Sequence, residues 1–147
     1  MKNVAGAEIL FVEDNPRDAE ITLRSLKKHK LGDHVTHVKD GQAALEWLFG
    51  SGAYAGRDTN HRPKVVLLDL NLPKVDGLEV LRAIRADPRT RFVPVVVLTS
   101  SGEEREVKKS YELGVNSYIV KPLGFEHFSA AVADAGRFWL LVNQPPM

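Results

Sequence analysis

The feature that most constrains how this chain can fold is a rhythm. Short apolar runs of strand length alternate five times with segments of helical periodicity, and polar residues stand at each junction. Residues 7–12 form the first run and end in Glu13 and Asp14. Asn15-Pro16 then supplies an N-cap and a proline suited to a first helical turn, after which Ala19, Leu23 and Leu26 recur at helical spacing towards Leu31. Residues 34–38 make a short second strand by context, and Asp40-Gly41 opens a helix with Ala44, Leu45 and Leu48 on one side. Residues 50–63, dense in glycine, aspartate, asparagine and proline, read as a long surface connection without chemistry of its own. The third run, Val65-Val66-Leu67-Leu68, has the continuous apolar character of a strand buried on both faces. It meets Asp69 and is stopped by Asn71, Pro73 and Gly77. A helix carrying Leu78, Leu81 and Ile84 closes at Asp87-Pro88, and residues 92–98 form a fourth strand ending in Thr99-Ser100-Ser101-Gly102. Residues 103–113 form a helix with Val107 and Tyr111 four apart and Gly114 as its cap. Residues 116–120 form a fifth strand ending in Lys121-Pro122, and the last helix places Phe125, Phe128, Val132, Ala135 and Trp139 on one stripe. Such alternation predicts an α/β fold: an open, doubly wound parallel sheet with helices on both faces. Its functional groups belong at the carboxyl ends of the strands.

Composition narrows the class. A chain of 147 residues, 44% of them hydrophobic, suits one domain over 1–147, with its core at about 7–138 and a tail at 139–147. A formal charge of +1 offers no electrostatic footprint for nucleic acid or an anionic membrane, so neither is expected as a direct partner. The absence of cysteine excludes disulfides and thiolate metal sites. Residues 1–6 lack the apolar core of a secretory signal, and no run approaches the ~18 apolar residues of a membrane helix; the expected location is the cytoplasm.

Taken singly, Asp69 could begin a turn, Thr99 could start a loop through its hydroxyl, and Lys121 could be a surface lysine. Together with Glu13 and Asp14 they stand at one edge of the sheet. Should the first and third strands be neighbours, three carboxylates converge, and like charges that close call for a cation. Magnesium, or manganese in its place, suits carboxylates plus a carbonyl, and the backbone carbonyl of Asn71 is suitably placed two residues past Asp69. A carboxylate beside such an ion, with a hydroxyl and an ammonium aimed at the same spot, is equipped to be phosphorylated.

The set Glu13-Asp14, Asp69 followed by Leu72-Pro73 and Asp76-Gly77, Thr99-Ser100 and Lys121-Pro122 resembles the receiver domain of two-component response regulators, over nearly the whole chain. The resemblance implies a flavodoxin-like (CheY-like) receiver fold with strand order 2-1-3-4-5. It implies Asp69 as phosphoacceptor; Glu13, Asp14, Asp69 and the Asn71 carbonyl as magnesium ligands; Thr99 and Tyr118 as switch residues; Lys121 as the ammonium that pairs with the phosphoryl group; and a cis bond before Pro122. The implied reaction is transfer from a histidine on a sensor kinase, followed by hydrolysis, with a two-state shift of the fourth helix and fifth strand.

Because the chain stops at Met147, a stand-alone regulator is expected, one that speaks to an effector or a further phosphotransfer protein by direct contact. The long loop before the third strand, the Thr99–Glu103 turn and the tail around Phe138-Trp139-Leu140 are similar to small regulators paired with bacterial phytochromes. Phe138, Trp139, Leu140, Leu141 and Val142 are five consecutive apolar residues, more than one buried stripe can use, so a homodimer through the last helix is expected. Two rivals remain: an aspartate-nucleophile phosphatase of the haloacid dehalogenase type, which needs an acid where Asn71 stands, and a receiver-like binding module that is never phosphorylated. The five histidines (29, 34, 37, 61, 127) are scattered rather than set at ligand spacing, and Arg82, Arg85, Arg89 and Arg91 read as a solvated face.

Overall fold

The computed structural model describes residues 8–146; residues 1–6, the proposed strand residue Ala7, and Met147 lie outside this range. Five strands, β1 (Ile9–Val12), β2 (Val35–Val38), β3 (Val65–Leu68), β4 (Val95–Thr99) and β5 (Ser117–Val120), alternate with five helices. These are α1 (Pro16–Lys28), α2 (Gly41–Phe49), α3 (Gly77–Ala86), α4 (Glu104–Glu112) and α5 (Phe125–Arg137). The strands are all parallel, in the order β2-β1-β3-β4-β5.

The period-2 geometry of the strands divides the core in two. Leu10, Val12, Val66, Leu68, Val95 and Val97 face one side and pack with Ala44, Leu48, Val80, Leu81 and Ile84 from α2 and α3. Ile9, Phe11, Val65, Leu67, Val96 and Leu98 face the other and pack with Leu26, Phe128 and Val132 from α1 and α5. The three central strands are therefore apolar on both faces, as buried parallel strands must be. Register sets which side chains meet at the carboxyl edge of the sheet. Val12 pairs with Leu68, so β1 and β3 end level and their next residues, Glu13 and Asp69, emerge side by side.

Capping sets the helix starts. Asn15 accepts from the Asp18 N–H with Pro16 next in line, Asp40 accepts from Ala43 N–H, and Asp76 accepts from Glu79 N–H. Gly77 lets α3 begin directly beneath the site. A Cβ there would overlap the Asp69 carbonyl oxygen, while the Gly77 N–H donates to Leu70 O at 2.9 Å.

Several expectations are corrected. The fourth strand starts at Val95 instead of Phe92: Val93 N–H closes a turn onto Thr90 O, Phe92 is exposed, and Pro94 has no N–H for a ladder. On α4 the residue that is buried is Ser110, and Tyr111 is exposed. The α5 stripe omits the exposed Phe125 and is completed by Leu140, because the chain widens into a π-type turn over Phe138–Val142. Leu140 thus belongs to the core. The bond before Pro122 is trans, as all peptide bonds are among the described residues; this is the isomer an X–Pro bond prefers when no turn demands the other.

Two arginines contradict the reading of their segments. Arg85 is half-buried and donates to the carbonyls of Gly114, Arg91 and Val93 and to Asn116 Oδ1, tying α3 to the loops before β4 and β5. Burial lowers its pKa. Arg57, in the long connection, lies 3.8 Å from the centre of the Trp47 ring, and its guanidinium donates to the carbonyls of Trp47 and Leu48 at the end of α2.

Candidate functional site

The site is assembled by strand ends. Glu13 follows β1, Asp69 follows β3, Thr99 is the last residue of β4 and Lys121 follows β5, so strand register alone brings all four to one edge. Ligand oxygens of Glu13, Asp14 and Asp69 lie within 4.8 Å of one another. Glu13 is 1% exposed and Asp69 6%, whereas Asp14 is exposed.

Every oxygen of the Asp69 carboxylate is engaged. Oδ1 accepts from Thr99 Oγ1 at 2.8 Å and from the Asn71 N–H at 3.2 Å, and Oδ2 accepts from Lys121 Nζ at 3.0 Å. Lys121 also donates to Glu13 Oε1 at 2.7 Å and to Asp18 Oδ2 at 2.8 Å, so its three N–H groups serve three carboxylates. Glu13 Oε2 accepts from the Asn15 N–H, and the Glu13 carbonyl accepts from His37 Nε2 at 2.8 Å, the His37 ring stacking on Phe11.

These contacts set the proton affinities. Burial pushes the Glu13 carboxyl up to about 7, against the pull of the Lys121 ammonium and reinforced by its hydrogen bond with Asp69. For Asp69 burial acts upward as well, but hydrogen bonds from Glu13 and Thr99 and the charge of Lys121 outweigh it and hold the pKa below the ordinary value. Burial disfavours the charged Lys121, yet its bonds to Asp18 and Glu13 and the charge of Asp69 raise its pKa instead. The pocket thus holds an excess of negative charge that one lysine only partly offsets. A hard divalent cation fits it, because the donors are all oxygens and the Glu13–Asp69 pair is short of positive charge.

Tyr118 projects from the edge strand β5, half-buried, and its hydroxyl donates to Ser101 O at 2.7 Å, two residues beyond Thr99. Burial and the nearby Glu106 raise its pKa. Ser101 in turn donates to the Glu106 carboxylate on α4, so the loop after β4 is linked both to β5 and to α4.

Of the residues expected at the site, Glu13, Asp14, Asp69, Thr99 and Lys121 come together, and Tyr118 stands one loop away. The Asn71 N–H reaches Asp69. The tail residues 138–142 lie beyond the far end of α5, away from the pocket, and Leu140 among them is buried. Sequence reasoning missed Asp18 and His37. The signal for Asp18 was present, an acid in the first turn of a helix that opens immediately after an acidic pair. His37 carried no signal, since its role depends on β2 lying beside β1.

An open parallel sheet in this order, with an acidic pocket, a hydroxyl and a lysine at the ends of β1, β3, β4 and β5, defines a phosphoacceptor signalling module of the two-component type. The family model described as "Response regulator receiver domain" matches residues 9–133, and the chain belongs to that family. Among curated proteins, it is 41% identical over 139 residues to the probable methanogenesis regulatory protein FilR2 of Methanothrix harundinacea, covering 94% of this chain and 86% of the relative. It is 40% identical over 132 residues to response regulator Rcp1 of Synechocystis sp., covering 90% and 88%. Among solved structures, the Mn(2+)-bound form of Rcp1 aligns with a TM-score of 0.87 at 39% identity, covering 95% of this chain and 98% of that one. The phosphorylated cyanobacterial phytochrome response regulator RcpA aligns at 0.89 and 38%, covering 97% and 100%. The bacteriophytochrome response regulator RtBRR aligns at 0.76 and 52%, covering 96% and 84%. The protein is therefore a response regulator receiver related to those of phytochrome systems. No helix among the described residues is long and apolar enough to cross a membrane.

Proposed function

We propose that the protein accepts a phosphoryl group on Asp69 from a sensor histidine kinase of the phytochrome type and passes the signal on, in the cytoplasm, through protein contacts. The observation that carries this reading is the hydrogen-bonded trio of Asp69, Thr99 and Lys121, which presents a carboxylate nucleophile with a hydroxyl on one oxygen and an ammonium on the other. In the transfer, the N–P bond of a phosphohistidine breaks with its electron pair returning to the imidazole, and an O–P bond forms on Asp69. Lys121 and Thr99 are placed to follow the phosphoryl oxygens as they arrive, and Tyr118 to follow the loop that carries Thr99.

Glu13, Asp14, Asp69 and the Asn71 carbonyl would hold magnesium, or manganese. Such an ion, when bound, neutralises phosphoryl charge that Lys121 alone leaves unmet. The names of the relatives support the assignment, one being an Mn(2+)-bound form and another a phosphorylated one. The protein acts as a phosphoacceptor and not as an enzyme on other substrates. Phe138, Leu141 and Val142, the last two 70% exposed, together with the half-buried Trp139, form an apolar surface suited to a homodimer.

Incubation with a small phosphodonor and magnesium is expected to add one phosphoryl group, seen as a mass increase, and Asp69→Asn to abolish it. An unmodified native protein refutes the proposal. Sedimentation at micromolar concentration is expected to show a dimer that Leu141→Lys with Val142→Lys dissociates; monomer throughout removes the dimer from the proposal.

A further inference from the structure

Lys121 spends its third hydrogen bond on a residue that the reaction does not need. Two of its acceptors, Glu13 and Asp69, belong to the pocket that would hold a metal and the nucleophile. The third, Asp18, stands on the first turn of α1, and its Oδ2 lies nearer the ammonium (2.8 Å) than Asp69 Oδ2 does (3.0 Å). We propose that Asp18 is a positioning residue which draws the Lys121 ammonium towards α1 and so slows phosphoryl uptake at Asp69. This rests on the reading of Asp69 as the phosphoacceptor.

Three observations support it. First, an ammonium has three protons, and all are committed, so a phosphoryl oxygen can gain Lys121 only when an existing acceptor lets go. Second, Asp18 is the acceptor best able to do so: its side chain is 24% exposed against 1% for Glu13 and 7% for Asp69, so water can replace the lost bond. Third, the helix start does not depend on its carboxylate. The cap is made by the Asp18 backbone N–H to Asn15 Oδ1, at 3.0 Å. Asp18 also lines, with Arg17, Ser100, Lys121 and Pro122, a cavity beside the site. Removing the carboxylate therefore leaves helix and pocket in place and frees one ammonium proton for the incoming group.

The test is the rate of phosphorylation of the intact chain by acetyl phosphate at saturating magnesium. Asp18→Asn and Asp18→Ser are expected to be phosphorylated about three- to tenfold faster than wild type, the range expected from losing one partly exposed ion pair. Asp18→Glu, which keeps the charge, is expected to return to within about twofold of wild type. On a Lys121→Met background, where uptake is expected to be slower because Asp69 loses its ammonium partner, Asp18→Asn is expected to add nothing, which a purely structural or long-range charge effect does not predict. Wild-type uptake with no gain in either neutral variant overturns the inference alone, and so does an equal gain without Lys121. Absence of uptake by wild type overturns the phosphoacceptor reading and this one with it.

Discussion

Replacing Glu13 by glutamine isolates the electrostatic cost built into the pocket. The Glu13 carboxyl rises from 4.5 in the unfolded chain to about 7 in the fold, chiefly through burial. At about 1.4 kcal/mol per pKa unit, that shift is worth about 3 kcal/mol. A pKa raised by folding means that the native state binds more protons than the unfolded chain between those two values. The stability Glu13 contributes is therefore complete below pH 4.5 and is lost as pH rises through 7. Asp69 does not confuse the measurement. Its pKa is lowered by folding, so its contribution is present above 3.8 and disappears only in stronger acid. Without divalent ions, wild type should lose about 3 kcal/mol relative to Glu13→Gln between about pH 5 and pH 8, equivalent to about 10 °C in melting temperature for a chain of this size. Glutamine keeps a donor for Asp69 and an acceptor for Lys121, and the histidines are common to both proteins, so the difference reports Glu13 itself. Urea unfolding at closely spaced pH values in a chelator gives the curve. Magnesium at about pH 8 should restore wild type by binding the native state alone. Parallel curves for the two proteins across this range would refute the reasoning.

Three further outcomes rest on the packing. Arg85→Leu should cost about 2–3 kcal/mol in urea unfolding, because it leaves the carbonyls of Gly114, Arg91 and Val93 without a charged donor, and Arg85→Lys should not rescue it, since lysine lacks the planar fork. Thr22→Val should stabilise the protein by about 1 kcal/mol, because the Thr22 hydroxyl is buried with no hydrogen-bond partner among the described residues; a loss of stability would show that the hydroxyl is satisfied. Gly77→Ala should destabilise by about 2 kcal/mol or more and slow phosphorylation together, since the new methyl group collides with the Asp69 carbonyl and shifts the nucleophile; a fully active alanine variant would contradict the close approach.

Legibility varied with how local the cause was. The apolar strands and the helix starts at Asn15 and Asp40 were readable because strand burial and capping are written in neighbouring residues. The convergence of Glu13, Asp14, Asp69, Thr99 and Lys121 was readable because strand ends in a doubly wound sheet share an edge. The start of β4 is not legible in the same way, because Phe92 looks like core until the turn from Thr90 to Val93 swings it outward. Arg85 and Arg57 look like solvated charges, and nothing local announces that a guanidinium will find carbonyls 29 or 10 residues away.

By itself the sequence determined the alternation of strand and helix, the acids and hydroxyl at the strand ends, and with them the family. Each arises from side-chain period and chain direction, which need no partner. The tertiary structure decided the level ending of β1 and β3, the trans bond before Pro122 and the burial of Leu140 out of the tail. It also decided the division of one ammonium among Glu13, Asp18 and Asp69. These depend on which segments lie side by side, and so does the proton affinity of Glu13. A carboxylate acquires its chemistry from neighbours that arrive only when the sheet is complete.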